Sequence, residues 1–263
     1  MAAFDAGEYG AVHRHFAQML LGNGCIDTAS AAEQLKVCLR AELTDAADTV
    51  IEAYGGLIRT LKKTVNTING QLRAIELEVR RVHSEYDGRQ YLVLVNQLSD
   101  LGREKGGSDN ASMFSEGEME LFKRIAEHVV CSEDGAIGLV AAVNKAKDLN
   151  RPLKSANHVT ELLDKLQRYK WLFQENGKLF LHTRAIVELR SFLEERGASV
   201  CALNCGQLVI RKQQQCCGLP VEKDGERVDC SVRVHRHCMQ TVAKNSEREP
   251  DCPGCQQRWP HLQ

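Results

Sequence analysis

The chain has 263 residues, of which 43% are apolar and 26% are charged, with 34 basic and 35 acidic side chains. This length leaves room for two or three domains, and the balanced composition excludes a disordered activation tail and a histone-like polycation. No apolar run approaches bilayer length, and Asp5 and Glu8 lie where a signal peptide would be basic, so a secreted or membrane protein is not expected.

The N-terminal part of the chain has the apolar spacing of helices. Val12, Phe16 and Leu20 predict a first helix that Asn23-Gly24 ends, and a second helix is predicted over Ser30 to Leu39. A single long third helix is predicted from one stripe of apolar residues: Val50, Tyr54, Leu57, Leu61, Val65 and Ile68.

After this helix the period changes to the alternation of strands. The alternating residues are Ile75, Leu77 and Val79, then Tyr91, Val93 and Val95, on either side of an Asp87-Gly88 turn. Three helices followed by a hairpin is the order of a winged helix. Residues 1–105 are therefore predicted to form a first winged-helix domain.

The same order of elements is predicted again over residues 113–197. Ser115 and Glu118 form a capping box for one helix, a short helix is predicted over Ile137 to Ala146, and a third helix contains Leu162 and Leu166. A second hairpin turns at Asn176-Gly177, and one last helix with Ile186, Leu189 and Leu193 ends at Gly197. This second winged helix repeats the architecture of the first without repeating its sequence.

Winged helices bind DNA or other proteins, and the fold alone does not choose between them. Arg80, Arg81 and Arg89 surround the first hairpin and are the candidates for contact with DNA phosphates. Acidic residues interleave with these cations, so a mixed-charge solvated surface is the simpler interpretation. Any DNA contact is expected to be weak, independent of base sequence and sensitive to salt.

Residues 198–263 contain most of the cysteines and are predicted to form a zinc-binding module. Eight of the 11 cysteines lie between Cys201 and Cys255, and no Phe, Tyr or Trp accompanies them. Eight ligands in four pairs suit two tetrahedral zinc ions, which would replace the missing apolar core. The predicted ligands are Cys201, Cys205, Cys216, Cys230, His235, Cys238, Cys252 and Cys255. Disulfides are the less favoured alternative, because nothing indicates an oxidising compartment.

Two of the ligand positions each have two candidate residues, and three cysteines lie outside the zinc-binding module. Cys217 competes with its neighbour for one ligand position, and loop length favours Cys216. His237 competes with His235, which has the two-residue spacing to Cys238 that a zinc turn favours. The remaining cysteines lie on apolar helical stretches and are interpreted as small buried hydrophobic residues: Cys25, Cys38 and Cys131.

The ligand order is shared by plant-homeodomain fingers and RING fingers, and the lack of aromatic residues disfavours a reader of methylated lysine. Cys252-Pro253-Gly254-Cys255 is similar to the closing knuckle of a RING finger. Three further motifs accompany it: Tyr86-Asp87-Gly88-Arg89, Trp171-Leu172 and Trp259-Pro260-His261. With these motifs, nearly the whole chain resembles the family of first non-SMC element subunits of the structural-maintenance-of-chromosomes 5/6 complex.

This resemblance implies a nuclear, chromosomal RING-type ubiquitin ligase that acts in DNA repair and recombination. It also implies binding to a melanoma-antigen-type subunit and a kleisin subunit. No catalytic nucleophile is needed, because the ligase holds a ubiquitin-charged conjugating enzyme in a reactive arrangement. Leu203 and Pro253 are the expected docking residues for that enzyme.

Departures from the usual RING pattern leave a second interpretation open. The first two cysteines are separated by three residues, Gly218 to Asp229 form an insertion, and Gln256 replaces a frequent cation. We therefore expect weak ligase activity that a partner stimulates. The alternative is a scaffold in which zinc shapes a docking platform and no ubiquitin is transferred.

Overall fold

The structure is a computed structural model that describes residues 4–96, 114–147, 149–150, 152–153, 155–203, 205–211, 221–223, 226–228, 230, 232–245 and 251–256. These residues form two compact units. The first unit extends to Ser84 and resumes from Arg89 to Asn96, and the second comprises Glu85–Gly88 and the described residues from Phe114 onward. The predicted class, mainly α with small β-hairpins, is confirmed.

Four helices form most of the first unit. They are α1 (Ala11–Asn23), α2 (Thr28–Leu43), α3 (Ala46–Ala53) and α4 (Leu57–Leu72). The first ends where predicted, at Gly24, whose φ of +65° suits glycine. The second begins before the predicted Ser30, because Asp27 Oδ1 accepts a hydrogen bond from the Ser30 N–H and caps the helix.

The prediction of a single third helix is wrong, because the structure divides it into α3 and α4. Gly55 and Gly56 separate the two helices with φ angles of +78° and +106°, which lie outside the helical region. Leu61, Val65 and Ile68 are buried as the stripe predicts. The stripe reports which side chains are buried and carries no information on whether the backbone is continuous.

A three-stranded antiparallel sheet completes the first unit. Its strands are β1 (Cys25–Asp27), β2 (Leu77–His83) and β3 (Gln90–Asn96), in the order β1-β3-β2. The predicted hairpin is present, but Ile75 lies in a short 3-10 turn before β2. Helices and sheet share one apolar core, which includes Phe16, Leu35, Leu39, Val65 and Leu92.

The described residues of the second unit form five helices before Cys201. They are α5 (Glu116–Cys131), α6 (Leu139–Asn144), α7 (Ala156–Arg168), α8 (Thr183–Glu188) and α9 (Arg190–Glu195). The predicted capping box is confirmed, since the Ser115 N–H donates to Glu118 Oε2 at 2.6 Å and the Glu118 N–H donates to Ser115 Oγ at 3.3 Å.

Two predicted helices of this unit have different bounds in the structure. The helix expected from Ile137 begins at Leu139, because residues 136–138 pair as a strand. The last helix is broken at Leu189 into α8 and α9. Gly197 follows α9 with φ of +91°, which fits its predicted place after the end of a helix.

A second three-stranded sheet joins β4 (Ala136–Gly138), β5 (Leu172–Glu175) and β6 (Lys178–Leu181) in the order β4-β6-β5. Its hairpin turns at Asn176-Gly177 as predicted, and both residues have positive φ. Trp171 packs edge-on against Phe122 in the core, with ring centroids 5.4 Å apart. The winged-helix assignment of both units stays a prediction.

The cysteine-rich part has little regular structure. Its described elements are β7 (Ser199–Val200), β8 (Leu208–Val209), β9 (Val221–Lys223), β10 (Glu226–Val228) and α10 (Arg236–Asn245). Strand β7 pairs with β8, and β9 pairs with β10 within the predicted insertion. In the part of the chain that the structure describes, no helix is both long and apolar enough to cross a bilayer.

The three cysteines outside this region do not share one environment. Cys25 is buried as predicted but lies in strand β1 and not in a helix, and Cys38 is half-buried in α2. Cys131 is exposed at the C-terminal end of α5, so the prediction of a buried side chain is wrong there. The last turn of a helix often leaves a side chain beyond the apolar face, which explains the difference.

Candidate metal centres

Four predicted zinc ligands lie together and could hold a metal ion: Cys201, Cys205, His235 and Cys238. We call this group the first metal centre. Their ligand atoms all lie within 4.8 Å of one another. His235 Nδ1 is 3.3 Å from Cys205 Sγ and 3.9 Å from Cys238 Sγ. The His237 ring stacks on His235 at 4.9 Å and does not belong to this group.

Local structure brings these four side chains together. Cys201 and Cys205 form a knuckle that is closed by a hydrogen bond of 2.9 Å from the Cys201 N–H to the Gln207 carbonyl. His235 immediately precedes α10, and Cys238 lies within its first turn. Residues three apart at the start of a helix lie on one face, so this pair meets the knuckle from one side.

The orientation of the His235 ring is fixed by its second nitrogen. Nε2 lies 2.9 Å from the carbonyl oxygen of Leu208, to which it donates, so Nδ1 is the nitrogen that faces the three sulfurs. Metal-binding histidines are commonly held in this way by an acceptor on the other ring nitrogen. The sequence pattern identifies the ligand but not this acceptor.

The four groups shift one another's pKa values. Hydrogen bonds with Cys205 and then Cys238 lower the pKa of Cys201. Burial lowers the pKa of His235, but hydrogen bonds with Cys201 and Cys205 outweigh burial and raise it to about 10. Zinc takes thiolates and neutral imidazole, so protons must leave when the ion binds.

Three further predicted ligands define the second metal centre: Cys230, Cys252 and Cys255. Cys230 Sγ and Cys252 Sγ are 3.7 Å apart, and the Gly254 N–H donates to Cys252 Sγ at 3.4 Å. Three thiolates leave one tetrahedral position for a fourth ligand. The predicted fourth ligand Cys216 and its competitor Cys217 lie outside the described residues.

These distances fit zinc and exclude a disulfide between the two close sulfurs. Tetrahedral coordination with Zn–S bonds of about 2.3 Å places two sulfurs about 3.8 Å apart, close to the 3.7 Å between Cys230 and Cys252. A disulfide would require about 2.05 Å. No disulfide joins any two of the described cysteines. Cysteine and imidazole ligands suit zinc better than magnesium or calcium, which prefer oxygen.

The two centres take their ligands in an interleaved order along the chain. The first cysteine pair, Cys201 and Cys205, joins His235 and Cys238, whereas Cys230 lies between these pairs and joins Cys252 and Cys255. Spacing alone does not show which pairs combine. The pairing is therefore a finding of the structure.

Similarity to known proteins agrees with this architecture. Residues 13–159, more than half of the chain, match the family described as Nse1 non-SMC component of SMC5-6 complex. The chain belongs to the Nse1 family. The predicted resemblance is thereby confirmed.

Relatives of the Nse1 family match almost the whole chain. A protein named non-structural maintenance of chromosomes element 1 homolog from Bos taurus is 30% identical over 256 residues, which cover 95% of this chain and 84% of that protein. Its namesake from Homo sapiens is 29% identical over 255 residues, with the same coverage. A solved structure described as Nse1-Nse3-Nse4 complex matches with a TM-score of 0.73 and 24% identity, covering 98% of this chain and 99% of that one, and supports the fold.

The two residues predicted to dock the conjugating enzyme lie at different metal centres. Leu203 is half-buried within the Cys201–Cys205 knuckle and packs against the small cluster that contains Val209 and Met239. Pro253 is exposed in the knuckle of the second centre. Each therefore lies between two cysteines of a knuckle, but only Pro253 is exposed, and their role in docking stays a prediction.

The predicted DNA-contact residues are not gathered on one surface of the sheet. Arg80 and Arg81 are consecutive residues of β2, so their side chains leave opposite faces. Arg80 Nε donates to Glu78 Oε2 at 2.8 Å, which partly neutralises it. Arg89 lies between the hairpin turn and β3, and its carbonyl oxygen accepts a hydrogen bond from the Ser84 N–H at 2.8 Å.

A more continuous basic surface lies on α4, which the sequence reasoning missed. From Leu57 to Ile75 the chain has no acidic residue, and its four cations Arg59, Lys62, Lys63 and Arg73 are all exposed. At 100° per residue Arg59, Lys62 and Lys63 fall on one face of α4, and Arg73 follows in the 3-10 turn after the helix. Counting charge along each predicted helix, rather than around the hairpin, would have found them.

Proposed function

We propose that this protein is a zinc-binding, RING-type ubiquitin ligase subunit of the SMC5-6 complex, acting on nuclear chromosomes in DNA repair and recombination. The observation that carries the proposal is the interleaved order of the two metal centres, in which Cys230 separates the ligands of the first centre. RING fingers use this arrangement to hold two loops at fixed positions. Family membership supplies the link to the complex.

The contribution to catalysis is positioning. The zinc ions are structural, and Cys201, Cys205, His235 and Cys238 would hold one while the remaining predicted ligands hold the other. Leu203 and Pro253 would contact the conjugating enzyme and restrict its thioester-linked ubiquitin to a reactive orientation. No side chain of this protein forms a bond with ubiquitin in this mechanism.

The upstream units serve as partner-binding domains in this proposal. We assign residues 1–105 and 113–197 to two winged helices and residues 198–263 to the zinc module. The partners are a melanoma-antigen-type Nse3 subunit and a kleisin Nse4 subunit, which agrees with the complex named for the similar solved structure. Activity is expected to rise when these partners bind.

A ubiquitin-discharge assay tests the ligase assignment. The purified protein, with its partner subunits, is mixed with a ubiquitin-charged conjugating enzyme, and loss of the thioester is followed on gels. Leu203→Ala and Pro253→Ala should each lower the discharge rate about tenfold, as expected for central contact residues. Val140→Ala is the matched control, because Val140 is 76% exposed on α6, which carries no zinc ligand.

Discharge at the wild-type rate in both docking variants would reject this ligase mechanism. The scaffold would then be favoured, in which zinc shapes a docking platform without ubiquitin transfer. Elemental analysis of each variant separates a lost contact from a lost metal centre. The two docking substitutions lie between ligands and should leave the zinc content at two ions per chain.

The α4 surface favours a second function, weak contact with duplex DNA. Arg59 and Lys62 form no ion pair within the described residues, and Arg73 lies 4.0 Å from Glu78, which also pairs with Arg80. Exposed cations without acidic neighbours attract phosphates in a manner that is independent of base sequence. This surface joins Arg80, Arg81 and Arg89 as a candidate for DNA contact.

Binding to a fluorescent duplex at several salt concentrations compares the two surfaces. Replacing Arg59 and Lys62 by Gln should weaken binding and reduce the slope of affinity against salt by about two, roughly one for each lost cation. The matched variant replaces Arg80 and Arg81 by Gln. An unchanged slope in the α4 variant would exclude that surface, and a reduced slope in the hairpin variant would support the original candidates.

A further inference from the structure

Glu85 makes an unusual set of contacts for a residue in a hairpin turn. It begins the four-residue turn Glu85–Gly88, which belongs to the second unit. Its carboxylate accepts from the Ile210 N–H at 3.1 Å (Oε1) and 3.0 Å (Oε2), and from the Arg211 N–H at 2.9 Å (Oε1). Both carboxylate oxygens accept and the group is charged, whereas the neutral amide of Gln would replace one acceptor with an NH2 donor that opposes the Ile210 N–H.

The Ile210 donor lies just beyond β8, on the edge that faces away from β7 and is here called the free edge of β8, and the Arg211 donor follows it in the chain. The Cys201 N–H bonds to the Gln207 carbonyl, so Gln207 faces the paired strand β7. Backbone groups alternate in direction along a strand, which turns those of Leu208 and Ile210 to the opposite edge. At that edge the Leu208 carbonyl accepts from His235 Nε2, and the Ile210 N–H donates to Glu85.

Glu85 and the metal ligand His235 therefore bind the same short length of backbone. An unpaired strand edge carries polar groups that need partners, and here a carboxylate and an imidazole supply them. Burial of the Glu85 carboxylate raises its pKa, while the N–H groups of Arg211 and Ile210 act in the opposite direction.

The neighbouring residue of the turn holds Glu85 in place. The Tyr86 ring contacts Phe173 edge-on at 4.7 Å. The guanidinium of Arg211 lies over the Tyr86 ring at 4.7 Å and over Phe180 at 5.2 Å. Arg211 thus donates its N–H to Glu85 and stacks its guanidinium on Tyr86. Two interactions therefore hold Arg211 against this turn.

We propose that Glu85 is a positioning residue for the first metal centre. By binding the free edge of β8, its carboxylate holds the Leu208 carbonyl where the His235 imidazole donates to it, and so keeps Nδ1 turned towards the metal. The role does not depend on ubiquitin transfer, because it concerns the retention and geometry of the metal ion.

The test measures zinc release from the full-length holoprotein with a chromogenic chelator. In Glu85→Gln one of the two ions should leave about tenfold faster, within the range found for residues that support metal ligands, and the other should leave at the wild-type rate. After cobalt substitution, the visible bands of one centre should shift. Glu85→Asp, whose shorter side chain reaches one donor at most, should give a smaller acceleration.

Two controls separate positioning from general stability. Glu188→Gln alters another partly buried carboxylate of the second unit, which pairs with Arg184 at 2.7 Å on α8. It should leave both release rates unchanged. In a His235→Cys background the ligand no longer needs the Leu208 carbonyl, so Glu85→Gln should have no further effect on release.

Wild-type release from Glu85→Gln would overturn the proposal. Equal acceleration of both ions, or a similar effect of Glu188→Gln, would show that Glu85 contributes to stability alone and would also overturn it. If Glu85→Gln still accelerated zinc release in the His235→Cys background, Glu85 would not act by orienting the His235 imidazole. Failure of the discharge assay would leave each of these outcomes unaffected.

Discussion

At the scale of single residues, Gly254 shows how little space surrounds the second metal centre. A Cβ at this position would lie 2.5 Å from Val232 Cγ2 and 3.3 Å from Cys230 Sγ. Because Val232 packs against Cys230 and Cys252, room for an added methyl group would come at the expense of this packing, so Gly254→Ala should displace Cys230. We expect the zinc content of the purified protein to fall from two ions per chain towards one, as measured by elemental analysis.

The control for this substitution is Gly70→Ala on the exposed side of α4. A Cβ at Gly70 meets nothing within 4 Å, and α4 contains no ligand, so the zinc content should stay at two. Two ions in the Gly254→Ala protein would show that the knuckle accommodates a methyl group.

His182 should make the stability of the protein depend on pH. Burial, followed by the charge of Lys170, lowers its pKa in the folded chain to about 4 from an ordinary value of 6.5. Between these values the unfolded chain binds a proton and the folded chain does not, so the free energy of unfolding decreases as the pH falls. The full effect is at most roughly 3 kcal/mol.

Urea unfolding between about pH 7 and about pH 4 measures this dependence. The His182→Gln variant cannot take up this proton and should lose less stability over the interval than the wild type. Equal losses in the two proteins would show that His182 is not the group responsible.

The sequence also has limits at this scale. Cysteine and histidine spacing identified seven ligands that the structure gathers into two groups, because metal coordination restricts residue type and local spacing together. Glu85 could not be found in this way. Its partners Ile210 and Arg211 are distant in the chain, and a single acidic residue in a turn is ordinarily solvated.

At the scale of elements, the pair Gly55-Gly56 determines where α4 begins. Gly56 has a φ of +106°, which side chains rarely adopt, although a Cβ there would meet no atom within 4 Å. Gly56→Ala should therefore reduce the free energy of unfolding by about 1 to 3 kcal/mol through backbone strain alone. Chemical unfolding measures the change.

Replacing a glycine by alanine within the helix should instead raise the free energy of unfolding. Gly70 lies in α4 with open space around it, and alanine there should add about 0.5 to 1 kcal/mol, because the unfolded chain loses freedom. Destabilisation of similar size at both positions would contradict the argument from φ.

Elements with strong amphipathic stripes or defined turn residues were predictable. The α5 capping box and the Asn176-Gly177 hairpin are examples, since each depends on interactions between near neighbours in the chain. Strands β1 and β4 were not predicted. Each has three residues, too few to show a period, and each exists because it pairs with a distant strand.

At the scale of the whole molecule, the helical part and the cysteine-rich part should respond differently to removal of zinc. The buried apolar residues around the first centre form a small cluster of Cys201, Val209, Val234 and Met239, whereas the cores upstream are much larger. Leu208 and Ile210 belong to the larger upstream core, so a chelator should unfold the ligand-bearing segments between Cys201 and Cys255 around them and leave most of the helical circular dichroism unchanged.

Limited proteolysis with mass spectrometry locates the unfolded part. New cleavage sites should appear between Cys201 and Cys255, and added zinc should remove them, whereas magnesium should not. Resistance to protease after complete chelation would mean that apolar packing alone maintains this region.

The interleaved ligand order also has a consequence for biosynthesis. As the ribosome extends the nascent chain, the thiols of Cys201, Cys205 and Cys230 emerge before the imidazole of His235 is available. These three can capture a zinc ion in a combination that the mature protein does not use. A chain that did so would need ligand exchange after Cys252 and Cys255 have emerged, so the yield of correctly assembled protein should depend on how much exchangeable zinc the cell supplies during translation.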